Sequence, residues 1–259
     1  MNQLEILRCL GAAEEDMDSL LKYVKNAFTF PQKDSAHDRL SENWPMYKEK
    51  IQSSCRVPPH FEMYESAAGV VPIIYPQSVD DFEAILRETV YKNKVITGLE
   101  NMGASFVSNK AGDLRFIVLS DKPYSGIPAS EMGLSNEKWA EKSMVIRKHH
   151  ECAHLHTKRF FGLSRNHLHD ELIADFCGFY AAFGEFKARW FVMSFCSRLY
   201  VYTRQLSEPA KGIVVKIAEN AAQYAENWSK TGSFEKLNET ELIESLAKKD
   251  LLEIMSLPQ

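Results

Sequence analysis

Apolar side chains recur at helical spacing near both ends of the chain. Between Glu14 and Phe28, Met17, Leu20 and Leu21 stand at i, i+3 and i+4, which gives a helix one apolar face. The first 65 or so residues are therefore predicted to be helical. After Ser135 the same periodicity predicts helices over about 136–161, 166–183, 186–206, 210–228 and 239–255.

Strand signals are confined to the middle of the chain, over about residues 69–120. Gly69 to Tyr75 is rich in β-branched residues, and Pro72 favours a place at a sheet edge because proline donates no ladder hydrogen bond. A helix is expected from about Val79 to Lys92. Ser105 to Ser108 and Leu114 to Ser120, joined by a short turn, predict a hairpin.

This order of elements predicts an α+β fold that is predominantly helical. A small β-sheet precedes the long helix over 136–161, and the C-terminal part is helical. We expect an N-terminal helical region, residues 1–65, that packs on a core domain formed by residues 66–259.

Composition narrows the class of protein rather than its activity. With 259 residues, of which 45% are hydrophobic and 25% charged, the chain is typical of globular proteins. The net charge of −4 argues against a general nucleic-acid binder, which needs a basic surface. The longest apolar run, Phe176 to Phe183, is too short to cross a bilayer, so no membrane partner is expected.

Two further observations predict the compartment. No secretory signal is visible, and the five cysteines have no paired CxxC spacing. Reduced thiols suit a reducing compartment, so we expect a cytoplasmic protein.

Six of the eight histidines fall within 21 residues, and two of them form part of an HExxH sequence, HECAH at 150–154. His150 and His154, at i and i+4 of the predicted long helix, lie on one face and can bind one metal ion. Glu151 lies beside that face, where a general base for an attacking water is needed. This pattern is expected by chance in about 2% of shuffled sequences, so a third ligand is required.

Glu171 is the candidate third ligand. It begins the sequence ELIAD at 171–175, with sixteen residues between it and the HExxH, and this addition lowers the chance expectation to on the order of 0.1%. A hairpin of two helices around Gly162 is predicted to bring Glu171 to the histidines. Asp175, one turn later, is placed to accept the second N–H of a ligand histidine. The same face of the second helix has small residues that permit close packing, namely Ala174, Gly178 and Ala182.

HECAH followed by ELIAD resembles the zincin metallopeptidases, in particular the gluzincin branch. The resemblance covers about residues 135–183. It implies one zinc ion bound by His150, His154 and Glu171, with Glu151 as the general base and Asp175 supporting a histidine ligand. It also implies that an edge strand holds an extended substrate, for which Leu114 to Ser120 is the candidate.

The sequence departs from relatives of this kind in two places. Arg147 and Lys148 put charge directly before the HExxH, where zincins usually have uncharged residues. Thr157 and Phe160 stand where the longer metzincin pattern has glycine and histidine, so that branch does not match.

The other candidate residues have alternative interpretations. His149, Cys152 and His156 have the spacing of a second metal site, but core packing is favoured because apolar residues flank them. His167 and His169 are candidates to stabilise an oxyanion, against a simple role as polar loop residues. Tyr200, Tyr202 and Arg165 are further oxyanion candidates. A solvated face is favoured for the basic residues Arg147, Lys148, Lys158, Arg159 and Arg165.

The sequence thus predicts a zinc-dependent metallopeptidase that acts on peptide or protein substrates, with Glu151 taking a proton from a zinc-activated water. One alternative is a zincin-fold binding or regulatory module with a structural zinc and little or no turnover. Another is hydrolysis of a non-peptide amide.

Overall fold

A computed structural model describes the chain over residues 2–25, 28, 44–92, 94, 102–108, 115–162, 168–232 and 234–256. Its helices are α1 (Gln3–Cys9), α2 (Met17–Val24), α3 (Trp44–Ser54), α4 (Val79–Thr89), α5 (Asn136–Phe160), α6 (Leu168–Phe183), α7 (Ala188–Ser197), α8 (Leu199–Tyr202), α9 (Glu208–Ser229), α10 (Glu239–Ala247) and α11 (Leu251–Ser256). Its strands are β1 (His60–Ser66), β2 (Gly69–Tyr75), β3 (Ala104–Ser108) and β4 (Arg115–Leu119).

These elements divide into two compact units. The central unit comprises residues 32–160, and the terminal unit comprises residues 1–31 and 161–259. The helices and the small sheet confirm the predicted α+β class with an excess of helix. The boundary expected near residue 65 stays a prediction.

The sheet of the central unit has the strand order β1-β2-β4-β3. Antiparallel pairing joins β1 to β2 and β3 to β4, whereas β2 and β4 run parallel. A parallel pair needs a crossover connection, and α4 lies in the segment that connects these two strands.

Alternate side chains of the two inner strands face opposite sides of the sheet. Ile74 and Val118 pack with residues of α3 and α4, among them Phe82. Ile73 and Ile117 face the other way and pack with α5. The sheet is therefore covered by helices on both faces, as the twofold side-chain period of a strand requires.

The sheet order corrects the prediction that Leu114 to Ser120 is a substrate-holding edge strand. β4 is internal, with β2 on one side and β3 on the other, and all five of its residues are buried. The physical reason is visible in the sequence RFIVL, because a strand covered on both faces has a continuous apolar run.

Pro72 also lies on an inner strand, contrary to the edge position that it suggested. It stands opposite Met63 of β1, and the registered pairs between β2 and β4 begin one residue later, at Ile73. The β2–β4 pairs therefore do not include the residue that lacks an N–H.

β1 also differs from the prediction, because its residues were expected to belong to the helical N-terminal region. The strand alternates between exposed and half-buried positions and buries none of its residues fully. A strand with so weak a contrast between its faces has little hydrophobic periodicity to detect.

The long helix has the ends that its sequence predicts. Ser135 accepts a hydrogen bond from the backbone N–H of Lys138 at 3.3 Å, which caps the first turn of α5. Gly162, two residues after the end of α5, has φ +65°, a conformation that glycine adopts without steric cost. The predicted start of the next helix, at 166, lies outside the described residues.

In the terminal unit, α6 is the central helix, and almost all of its residues are buried. It packs with α7, α9 and α10. The N-terminal segment joins this unit through polar contacts: Ser207 donates to Asp16 at 2.7 Å, and Lys216 donates to the carbonyl of Leu10 at 2.8 Å.

Two predicted C-terminal helices are each divided in the structure. The segment predicted over 186–206 breaks at Arg198, which has φ −115° and ψ 6°. The segment predicted over 239–255 breaks before α11, where Asp250 accepts from the backbone N–H of Leu252 at 2.8 Å. A side chain that captures a backbone N–H in this way starts a new helix. Among the described residues, no helix combines the length and the apolarity needed to span a membrane.

The internal position of β4 predicts a large cost for truncating its core side chain. Ile117→Ala should lower the free energy of unfolding by about 2–5 kcal/mol, because it leaves a cavity between the sheet and α5. Met63→Ala, at a side chain that is 49% exposed on β1, is the matched control and should change it by less than about 0.5 kcal/mol. Urea unfolding measures both, and equal effects would contradict the burial of Ile117 between the sheet and α5.

Candidate metal centre

Helix α5 presents two different faces in the central unit. Cys152 and Leu155 are buried against the sheet. His150 and His154 project from another side of the helix, with ring centroids 4.5 Å apart and ring planes at 89°. Their Nε2 atoms lie 2.9 Å apart, so the HExxH spacing brings two imidazole nitrogens together as predicted.

The spacing of this pair is close to that of two ligands on one metal ion. Two nitrogens bound at about 2.0–2.1 Å to a tetrahedral zinc ion lie about 3.3 Å apart. The observed separation of 2.9 Å is a few tenths of an ångström shorter, so a small rotation of either ring would accommodate the ion. The donor type and the convergence of both nitrogens therefore fit a metal ion that imidazole binds, without being specific to zinc.

The other nitrogen of His150 has a partner that the sequence did not reveal. The hydroxyl of Tyr124 lies 2.9 Å from His150 Nδ1, and both side chains are only 4% exposed. Tyr124 belongs to the loop that connects β4 to α5. A buried polar partner at Nδ1 leaves Nε2 as the nitrogen that faces His154.

The loop that carries Tyr124 is bonded to α5 itself. Ser143 accepts a hydrogen bond from the backbone N–H of Tyr124 at 2.9 Å. Arg147 donates to the carbonyls of Ser120 and Pro123, each at 2.9 Å. These bonds fix the loop on the same helix that carries the histidines.

Arg147 therefore corrects the expectation of a solvated basic face. It is 3% exposed, and the backbone of Gly103 lies against it so closely that an added Cβ would come within 2.7 Å of its Nε. Arg159 is likewise buried and donates to the carbonyl of Ala68 at 2.5 Å. The sequence shows the charge of an arginine but not the carbonyls that its guanidinium will meet.

Glu151 is half-buried on α5. At 100° per residue, its side chain lies between the histidine face and the face packed on the sheet. The Glu151 carboxylate is therefore placed beside the two histidines rather than on the face from which they project.

Glu171 and Asp175 lie on α6 of the terminal unit, one turn apart, with 1% and 0% exposure. Arg198, at the junction of α7 and α8, approaches Glu171 at 3.5 Å and Asp175 at 3.7 Å. Ser194 donates a hydrogen bond to Asp175. Burial of the two carboxylates is thus accompanied by a guanidinium and a hydroxyl, as buried charges require.

Tyrosines also surround Glu171. Tyr202 of α8 is a neighbour of Glu171. Burial raises the pKa of Tyr202 well above its usual range, and the negative charge of Glu171 raises it further. Burial also raises the pKa of Tyr23, again with a contribution from Glu171. Both phenols therefore remain protonated and can donate at any ordinary pH.

The remaining histidine candidates pack in the fold. Cys152 lies in the core, His156 has its Nδ1 3.1 Å from the carbonyl of Ala67, and His149 contacts the ring of Tyr64. The burial of Cys152 and His156 supports the interpretation of core packing for these two residues.

The candidates for an oxyanion-stabilising residue differ in burial and in their contacts. His169 is 1% exposed and its Nε2 lies 2.9 Å from the Leu246 carbonyl, so it is not a polar loop residue. Tyr200 is 69% exposed and lies near two surface cations. His167 and Arg165 lie outside the described residues.

Tyr124, Ser143, Arg147 and Arg198 are the residues that sequence reasoning missed. A signal existed for two of them, because Ser143 and Arg147 precede His150 by seven and three residues and so share its helix face. Tyr124 and Arg198 reach their partners from other elements, and no local pattern indicates such contacts.

Comparison with known proteins gives one match. The sequence model of a family described as "Family of unknown function (DUF7005)" matches residues 113–257, more than half of the chain. No curated protein and no solved structure matches. The matched segment includes HECAH and ELIAD.

Loss of the Arg147 guanidinium should destabilise the protein. Arg147→Met removes hydrogen bonds to two carbonyls, and we expect the free energy of unfolding to fall by about 2–4 kcal/mol. Lys138→Met, which removes an exposed charge from the same helix, is the control and should change it by less than about 0.5 kcal/mol. Urea unfolding measures both, and a loss below about 1 kcal/mol for Arg147→Met would contradict the assigned role.

Proposed function

Because the chain belongs to DUF7005, a family of unknown function, we propose its activity from its own residues: it is a zinc-dependent metallopeptidase. His150, His154 and Glu171 bind one zinc ion in this proposal. Each offers one ligand atom of a type that zinc accepts, an imidazole nitrogen from each histidine and a carboxylate oxygen from Glu171.

The observation that carries the proposal is the convergence of the two Nε2 atoms of His150 and His154, 2.9 Å apart. Two imidazole nitrogens directed at one point, with the other nitrogen of His150 in contact with Tyr124, are what a metal centre requires. Glu171 adds a buried carboxylate whose position is supported by Tyr202 and Arg198.

Glu151 is the catalytic residue of the proposal. Zinc supplies, when bound, a Lewis acid that polarises a peptide carbonyl and makes a water molecule more acidic. The carboxylate of Glu151 accepts the proton of the attacking water and then transfers it to the leaving amine. These two transfers balance, because the water adds its oxygen to the carbonyl carbon and its proton to the departing nitrogen.

Asp175 has a supporting role in the proposal. The resemblance to gluzincins assigns it to a ligand histidine, and Nδ1 of His150 already has Tyr124 as a partner. Asp175 would thus support one of the ligand histidines.

Peptide or protein substrates are proposed, without nucleic-acid or membrane partners. With β4 internal, the edge strands are β1 and β3, and we choose β3, which packs with α5 and has β4 as its single neighbour among the described strands. Its Phe106 lies below Lys158 of α5, at 5.1 Å from the ring centroid to Nζ. An extended peptide would add to this edge. The cytoplasmic location stays a prediction.

A binding or regulatory module with a structural zinc is the second candidate. The observation that favours it is that the buried Glu171 carboxylate lies 3.5 Å from the guanidinium of Arg198. A carboxylate ligand whose position is fixed by a neighbouring guanidinium is suited to a structural zinc, whose set of ligands does not change.

Zinc content and hydrolysis of a quenched-fluorescence peptide library test both candidates. The wild-type chain should bind one zinc ion and cleave peptides. Glu151→Gln should keep the zinc and lose about 10²–10⁴-fold in rate, because it removes the proton acceptor alone. His154→Ala and Glu171→Gln should weaken zinc binding.

His149→Ala is the matched control, since His149 lies next to a proposed ligand and contacts Tyr64 instead. It should keep both zinc and activity. A folded wild-type chain that binds no zinc would overturn the proposal. A wild-type chain that binds zinc but hydrolyses no peptide would favour the binding module.

A further inference from the structure

The partner of His150 is a phenol rather than a carboxylate. Tyr124 Oη lies 2.9 Å from Nδ1, and the two rings contact edge to face with centroids 5.8 Å apart. Both side chains are buried, so water does not compete strongly for either polar atom. The contact lies wholly within the central unit.

The contact between Tyr124 and His150 can satisfy a buried hydrogen-bond donor. A histidine that binds a metal through Nε2 carries its proton on Nδ1. When that N–H is buried, it needs an acceptor, because an unsatisfied buried donor costs about 1–3 kcal/mol. The phenol oxygen of Tyr124 is at the right distance to accept it.

The acceptor is held in place by the helix that carries the histidine. The backbone N–H of Tyr124 donates to Ser143, and Arg147 donates to the Pro123 carbonyl while its guanidinium lies 5.8 Å from the Tyr124 ring. Ser143, Arg147 and His150 stand at i, i+4 and i+7, on one face of α5. Helix α5 thus fixes the positions of both the phenol and the imidazole.

The backbone after Tyr124 reinforces this placement. Ser125 has φ +53° and Gly126 has φ +70°, so two successive residues adopt the left-handed region. A non-glycine residue there is uncommon and persists where surrounding contacts impose it. The chain changes direction directly after Tyr124, and the tyrosine ring packs against α5.

We infer that Tyr124 is a positioning residue of the metal centre: its hydroxyl accepts the Nδ1 proton of His150 and so directs Nε2 to the ion. The inference rests on the proposed function. It also distinguishes this centre from one supported by a carboxylate, because a hydroxyl can both donate and accept. Tyr124 can therefore satisfy Nδ1 in either neutral tautomer, with metal or without.

Tyr124→Phe tests the inference, since it removes the hydroxyl and keeps the ring that packs on Arg147. Loss of such a partner typically weakens metal binding by about 10–100-fold, and we expect that range for zinc, measured by competition with a chromophoric chelator. Nitrogen-15 NMR of histidine-labelled, zinc-loaded protein should show a protected His150 Nδ1 proton in the wild type and its loss of protection in the variant.

Tyr91→Phe is the matched control in the same unit. The Tyr91 hydroxyl makes only a 4.0 Å contact to the sulfur of Met102, so this variant should bind zinc like the wild type. Urea unfolding of all three proteins shows whether each remains folded during the titrations.

The outcomes separate the inference from the function on which it rests. A wild-type chain that binds no zinc overturns the proposed function. If the wild type binds zinc and Tyr124→Phe binds it within about twofold of wild type, the inference alone is overturned. An affinity loss that leaves the His150 Nδ1 signal unchanged overturns it as well.

Discussion

The burial of α5 against one face of the sheet sets the geometry of the central unit. Cys152 and Leu155 pack on the inner strands, which fixes the rotation of the helix about its axis. Once that rotation is fixed, the direction of His150 and His154 is fixed too, because side-chain angles along a helix are set by its period. The candidate chemistry thus depends on packing at residues that take no part in it.

Local patterns predicted the elements well and their arrangement less well. Ser135 and Gly162 mark the ends of α5, and the HExxH spacing places two nitrogens together, because capping and helical period act over a few residues. The strand order was not predicted, since β2 and β4 pair across a long connection. Arg147 was misjudged because a charge reveals nothing of the carbonyls that will surround it.

Buried polar groups give each unit its specificity. In the central unit a serine, an arginine and a tyrosine connect a loop to α5, and none of these contacts is apolar. In the terminal unit two carboxylates on α6 share the neighbourhood of Arg198. Such groups contribute little net stability when satisfied, yet each costs much when a partner is lost, so they favour one arrangement over its competitors.

The terminal unit is assembled from two separate stretches of chain, residues 1–31 and 161–259. During synthesis the first stretch leaves the ribosome before the residues that it contacts, such as Ser207 and Lys216, have been made. At about 5–20 residues per second, synthesis of residues 32–160 alone takes roughly 6–26 s. The residues of α1 and α2 that are buried in the terminal unit, such as Leu7 and Leu20, therefore complete their packing only after the second stretch has been made.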